Sequence, residues 1–305
     1  MAVEYKIPQK SFKTSIREID LNGVKTGGES SYLFMHEETG NSLKPLVACE
    51  VVMNIPGNYP ELLKQAWGEK IYEPVECVKT AEVSGFDLIA LRFNIEEENE
   101  IPKSTQLLKE ILSATDLPLI ITGSFRRDLD IKFLPELAKT ADRKCTIGVV
   151  EEENYKEITP AIRDCGHNII AKTPIDINLT KQLNILITEM GVEPDRILID
   201  PNTGGLGYGI DYAYSIIERI KYAALTGDTM LNMPVITFVG EEAWKTKEAK
   251  STAVPEEWGD FKTRAIAWEA MTASSMLVSG SNIVVMRHPE AIRHIKKFIN
   301  ETHIK

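Results

Sequence analysis

The sequence predicts a (β/α)8 barrel, with residues 1–44 as an N-terminal extension and residues 45–305 as the barrel. Three observations point there. Eight short β-rich runs each precede a helical pattern. Most of the runs are continuously apolar rather than alternating, as in strands covered on both faces. The eight units fill about 260 residues, a usual size for this barrel. A doubly wound sheet is the other arrangement of the same units.

The extension contains "SYLFMHEETGNS" (31–42), whose Thr39-Gly40-Asn41 turn predicts a small hairpin placed to close the barrel bottom. The first barrel run is "PLVACEVV" (45–52), followed after a long loop by "PVECVKTAEVSG". That helix has Pro74 at its start and Gly85 past its end, the asymmetry of helix termini. "FDLIALRF" (86–93) leads to "IPKSTQLLKEILSATD", with Leu107, Leu108, Ile111 and Leu112 on one face. "LPLIIT" (117–122) precedes "LPELAKTADR", and "CTIGVV" (145–150) precedes "YKEITPAIRDCG", where Pro160 sits in the first turns or kinks the helix. "HNIIAK" (167–172) pairs with "NLTKQLNILITEMG", and "RILIDP" (196–201) with "DYAYSIIERIKYAAL". "PVITFV" (234–239) reaches "FKTRAIAWEAMTASSMLVSG" through a second long loop, and "NIVVMR" (282–287) ends in "PEAIRHIKKFINE".

Composition narrows the function. Of 305 residues 43% are apolar, enough for a sizeable core, and the formal net charge of −10 with no basic stripe argues against a general nucleic-acid binder. No apolar run approaches the roughly 20 residues of a membrane span, and the N-terminus lacks a signal core, so a cytoplasmic location is expected. Cys49, Cys77, Cys145 and Cys165 are far apart, without a C-x-x-C pair, so neither a disulfide framework nor an iron–sulfur or zinc centre is expected within this chain. The five histidines, His36, His167, His288, His294 and His303, form no H-E-x-x-H or H-x-H, and no metal ligands are assigned.

A barrel meets its ligands at the C-terminal strand ends. Those ends offer Glu50, Asn54, Arg92, Asn94, Thr122, Gly123, Ser124, Glu151, Lys172, Asp200, Asn202, Thr203, Gly240, Glu241 and Arg287. Two long loops, 53–73 and 240–260, hold Tyr59, Trp67, Tyr72, Trp244 and Trp258. Aromatics gathered in loops predict a partner or ligand surface, unless each ring plugs its own loop. The acidic runs at 96–100 and 151–153 fall at helix starts, which favour carboxylates.

One stretch, "LIDPNTGGLGYGID" (198–211), puts Asp200-Pro201-Asn202 just before Gly204, Gly205, Gly207 and Gly209. It is not a phosphate loop of the G-K-[ST] type, and it lacks G-x-G-x-x-G and the acidic strand end of a dinucleotide fold. A phosphate at the helix start and a bare turn both remain open. The same glycines let a wide flat ligand or another protein approach the backbone.

Together with "PGNYPELLKQAWGEKIYEPVECVKTAE" and "EEWGDFKTRAIAWEAMTASSMLVSGSNIVVMRHPEAI", the motif "DPNTGGLGYGIDYAYSIIERI" resembles the small subunit of the bacterial corrinoid iron–sulfur protein, an acetyl-CoA decarbonylase/synthase delta-type subunit of the reductive acetyl-CoA pathway. The resemblance covers nearly the whole chain. It implies a barrel paired with a large corrinoid iron–sulfur subunit that holds a [4Fe–4S] cluster and a cobalamin domain, the cobalamin being shared between the two subunits. It further implies methyl transfer from methyltetrahydrofolate, through a separate methyltransferase, to acetyl-CoA synthase, and a reductive activator as a further partner. Carried onto this chain, the corrin-facing role falls on the top rim and the glycine turn: Arg92, Asn94, Thr122, Ser124, Lys172, Asp200, Asn202, Thr203, Gly204, Gly205, Gly207, Tyr208, Gly209 and Glu241. No residue is assigned a catalytic role, and no D-x-H-x-x-G motif supplies an axial histidine. Two alternatives are a stand-alone pterin-dependent methyltransferase, with Asp200, Asn202 and Lys172 as its working residues, and a scaffold subunit without corrin contact.

Overall fold

A computed structural model describes residues 10–32, 40 and 43–302. It opens on an antiparallel hairpin, β1 (Ile19–Asp20) and β2 (Lys25–Thr26). Asn22 and Gly23 take the left-handed backbone of a tight hairpin turn. The hairpin expected at 31–42, like His36 and His303, lies largely outside the described residues.

Eight parallel strands follow: β3 (Leu46–Met53), β4 (Leu88–Phe93), β5 (Leu119–Thr122), β6 (Thr146–Val150), β7 (Asn168–Lys172), β8 (Ile197–Asp200), β9 (Ile236–Thr237) and β10 (Ile283–Met286). They pair in the order β8-β7-β6-β5-β4-β3-β10-β9. A parallel bridge between Ile199 and Val235, with Ile199 N donating to Pro234 O at 2.9 Å, joins β8 to the segment entering β9. The sheet thus closes into the expected barrel. The run at 234–239 shortens to two strand residues because Pro234 has no N–H to give and Val239 already begins a helix.

Outside the strands pack α1 (Glu61–Trp67), α2 (Pro74–Val83), α3 (Ile101–Leu112), α4 (Arg127–Thr140), α5 (Tyr155–Asp164), α6 (Ile177–Glu189), α7 (Ile210–Thr226), α8 (Val239–Ala243), α9 (Lys247–Lys250), α10 (Phe261–Ser279) and α11 (Pro289–Thr302). The short α1, α8 and α9 give structure to the two long loops, and α5 runs through Pro160. Two core layers explain the continuous apolar runs. Val47, Cys49 and Val51 of β3 belong to the layer shared with the helices, whereas Ala48 joins Leu88, Ala90, Ile120, Leu198 and Val285 in an inner layer. Period-two alternation with both faces buried leaves no polar face to alternate with.

The hairpin stoppers the inner layer: Ile19 and Leu21 are buried in it, and Asn168 Nδ2 donates to Asp20 O at 2.9 Å. Beside it, Glu29 pairs with Lys221 of α7, and Asn282 Nδ2 donates to the same carboxylate at 2.8 Å. Both ionic side chains are at most 3% exposed. The plug closes the N-terminal end of the barrel and leaves the opposite end open for ligands.

Candidate functional site

At the C-terminal end of the strands, cations and carboxylates interlock. Arg287 Nε donates to Glu50, and the guanidinium lies 5.8 Å from the Tyr59 ring centre. Arg92 pairs with Glu241, which also takes Lys245 at 2.8 Å, and Lys245 reaches Glu242 at 2.8 Å. Beneath them Glu269 of α10 accepts from Arg287 N at 2.5 Å, Trp244 Nε1 at 2.9 Å and His288 N at 3.0 Å. Burial pushes the Glu269 carboxyl up to about 7, against the pull of these donors. For Glu241 burial opposes the charge too, but Arg92, Lys245 and Arg287 win and draw it down to about 2. Gly240 is required by this packing, since a Cβ there would stand 2.8 Å from Arg287 Cγ.

Two clefts open above this lattice. The larger, about 700 Å³, is lined by Asn54, Asn58, Tyr59, Arg92, Asn94 and Arg287 among others. The smaller, about 260 Å³, is lined by Phe125, Lys172, Asp200, Asn202, Thr203 and Phe238. Glu241 and Lys245 belong to the walls of both. Asp200 is buried, and burial lifts its carboxyl to about 7, although Lys172 and a bond from Asn202 N at 3.0 Å oppose the rise. Asn54, Phe125 and Asn202 have left-handed backbones, at φ 54°, 60° and 66°. The Phe125 ring lies 4.4 Å from the Arg92 guanidinium and 4.9 Å from the Lys172 ammonium.

The glycine turn folds on itself. A Cβ on Gly204 would meet Gly209 O at 2.2 Å, and Tyr208 N donates to Gly205 O at 2.8 Å. Gly209, left-handed, caps α7. Thr203 Oγ1 accepts from Phe238 N at 2.9 Å and ties the turn to the strand beside it. What faces outward is the tip, Gly207 and Tyr208, with Tyr208 56% exposed.

The profile of a family described as CO dehydrogenase/acetyl-CoA synthase delta subunit matches residues 19–297, from the hairpin through most of α11. The chain belongs to that family. A delta subunit of the acetyl-CoA decarbonylase/synthase complex from Methanopyrus kandleri is 27% identical over 88% of this chain and 68% of its own length. The corresponding protein from Archaeoglobus fulgidus is 29% identical over 91% of this chain and 64% of its own. Delta subunit 1 from Methanosarcina thermophila reaches 30% over 77% and 56%. Among solved structures, dihydropteroate synthases share the fold. The Xanthomonas albilineans protein has a TM-score of 0.60 at 13% identity, covering 94% of this chain and 97% of its own. The Stenotrophomonas maltophilia protein has 0.62 at 12%, covering 95% and 99%.

In this delta-family barrel the sequence-derived rim divides. Arg92, Asn94, Ser124 and Glu241 meet in the larger cleft; Lys172, Asp200, Asn202, Thr203 and again Glu241 meet in the smaller. Three expected ligand-facing residues are turned inward. Thr122 is buried, its hydroxyl donating to Leu91 O at 3.3 Å, and Gly204 and Gly205 are buried within their own turn. The expected aromatic partner surface also splits. Tyr72 and Trp258 are exposed. Trp244 and Tyr59 are instead buried, because the Trp244 indole bonds Glu269 and stacks on His288, and Tyr59 closes over Arg287. Trp67 is half-buried, with its indole N–H on Arg287 O at 3.0 Å. Sequence reasoning missed Glu269 and Phe125. A lone Glu within the apolar stretch "AIAWEAMTA" was the available signal for the first. No residue pattern announces the second.

Proposed function

We propose that this chain is the barrel subunit of a heterodimeric corrinoid iron–sulfur methyl carrier, and that its mouth covers a cobalamin held chiefly by a larger partner. The observation that carries this reading is a set of amides around the paired charges at the centre of the mouth. Arg92, Arg287 and Lys245 each already hold a carboxylate. Lys172 lies 3.9 Å from Glu151, and Lys250 is exposed in the wall of the larger cleft. The neutral groups offered to a ligand are the amides of Asn54, Asn58, Asn94 and Asn202, with bare backbone at Gly207. That set suits the uncharged, amide-bearing rim of a corrin. Because the two clefts share Glu241 and Lys245, one broad ligand can span them.

The residues also fit a cofactor whose metal ligands lie elsewhere. His288 at the mouth is buried against Trp244, and among the described residues no three His, Cys, Asp or Glu side chains form a metal-holding group. The [4Fe–4S] cluster of this proposal is assigned to the partner. When bound, the corrin supplies a nucleophilic cobalt that accepts a methyl group and releases it. This chain's part is to bind the ligand's rim, exclude water from one face, and present Tyr208, Trp258 and Tyr72 to incoming proteins. Those proteins are the methyltetrahydrofolate methyltransferase, acetyl-CoA synthase and the reductive activator. Asp200 moves no proton in this scheme.

The test is anaerobic purification through a tag on this chain from a native-like host. The expected result is a larger second chain, about one cobalt per complex and iron in cluster amounts. A lone chain without cobalt would overturn the proposal.

A further inference from the structure

Four non-glycine residues have left-handed backbones among those described: Asn22, Asn54, Phe125 and Asn202. Three are asparagines, whose short polar side chain tolerates that region. A bulky residue there is a true outlier and holds about 1–3 kcal/mol of strain. The turn around Phe125 enforces it. Asp130 Oδ1 accepts from Ser124 N and from Ser124 Oγ, both at 2.9 Å, and Arg126 N donates to Ser124 Oγ at 3.2 Å. A Cβ on Gly123 would stand 2.3 Å from Asp130 Oδ1, so only glycine fits under the clamp. The ring ends half-buried, packed on the inner core layer and lining the smaller cleft with Asp200, Asn202 and Phe238. Simple plugging of the inner core needs no strained backbone. The strain has one visible product, an aromatic ring between two cations at the centre of the mouth.

We propose that Phe125 is the apolar contact this chain sets against the central, reactive face of the ligand over its mouth, with Asp130 as the positioning residue that fixes the ring. The inference rests on the corrin reading and adds the residue that keeps water off the reacting face. A phenyl ring excludes water and offers no atom that coordinates a metal.

The test uses the intact corrin-loaded complex, purified anaerobically. Phe125→Asn removes the ring while suiting the backbone; Phe125→Leu keeps apolar volume; Asn58→Trp fills the neighbouring cleft as a control. The readouts are corrin absorption, the electron paramagnetic resonance of cobalt(II), and the rate at which dioxygen reoxidises the reduced corrin. Phe125→Asn is expected to show a changed cobalt(II) signal and reoxidation about tenfold faster, with a smaller change in Phe125→Leu. Asn58→Trp is expected to shift the absorption alone. If Phe125→Asn matches wild type while Asn58→Trp shifts the spectrum, the inference is wrong and the corrin reading stands. If neither responds, both fall. Should Phe125→Asn not assemble, Phe125→Leu and Asp130→Asn decide in its place, and wild-type behaviour of both overturns the inference.

Discussion

Asp200 has the outward marks of an acid–base residue: a strand end, a barrel mouth and a carboxyl lifted to about 7. Burial is the main cause, so the shift is equally a statement about stability. Between the unfolded value of 3.8 and about 7 the folded protein holds a proton that the unfolded chain releases. Stability from this group is therefore full below about pH 4 and is lost as pH rises through 7. Asp200→Asn removes that slope. Its unfolding free energy in urea should gain on wild type from pH 4 to pH 8, by on the order of 4 kcal/mol at most. In the proposed methyl carrier, methyl transfer by the corrin-loaded complex should stay within about threefold, since loss of a general acid or base costs 10²–10⁴. A larger fall would return Asp200 to the chemistry. Glu269 makes a different case. Glu269→Ala strands three buried N–H donors and should lower urea stability by about 3–5 kcal/mol, with Glu269→Gln milder. At this scale the sequence shows which residues end strands, and so brought Asp200 and Arg92 to the mouth, whereas Glu241 reaches it from α8. It does not show φ, and so passed over Phe125. It read Trp244 as a loop aromatic because the partner that buries it, Glu269, lies 25 positions away.

The glycine turn separates two reasons for the same residue. Gly204 is required by contact with Gly209 O, whereas a Cβ on Gly205 would find only ordinary neighbours, the nearest at 3.5 Å. Gly204→Ala should cost about 2 kcal/mol or more, and Gly205→Ala should stay within about 0.5 kcal/mol, both read from urea unfolding. Equal costs would mean that the turn is not closed in this way. The motif was legible as a loop of interest from its glycines alone, but which glycine serves the turn depends on a contact five residues away. Elements buried on both faces were legible for the opposite reason, because nothing local competes with an apolar run. The acidic run at 96–100 also resolves here. Glu97 and Glu100 form a reciprocal cap, with Glu97 N donating to Glu100 Oε1 at 3.0 Å, so part of that charge belongs to the start of α3.

Across the whole molecule, the barrel was readable because eight repeated units leave few ways to close a sheet. Its lower stopper was not, since Ile19, Glu29, Lys221 and Asn282 carry no mutual signature in sequence. The buried Lys221–Glu29 pair is where the extension and the barrel become one body. Desolvation lowers the Lys221 pKa even with Glu29 beside it. Lys221→Met should cost about 3–5 kcal/mol by leaving the Glu29 charge buried alone, and Lys221→Met with Glu29→Gln should recover most of that loss. Thermal and urea unfolding of the two variants check it. If the single and double variants are equally destabilised, methionine packing rather than stranded charge is the cause.

That stopper also sets a timetable. Glu29 meets Lys221 across 192 residues and Asn282 across 253. On a ribosome adding roughly 5–20 residues per second, the extension emerges tens of seconds before its last partner exists. Through that interval Ile16, Ile19 and Leu21 belong to a nascent chain with nowhere to dock, the period in which a holding chaperone has most to offer. Moving the extension to the C-terminus by circular permutation would remove the wait.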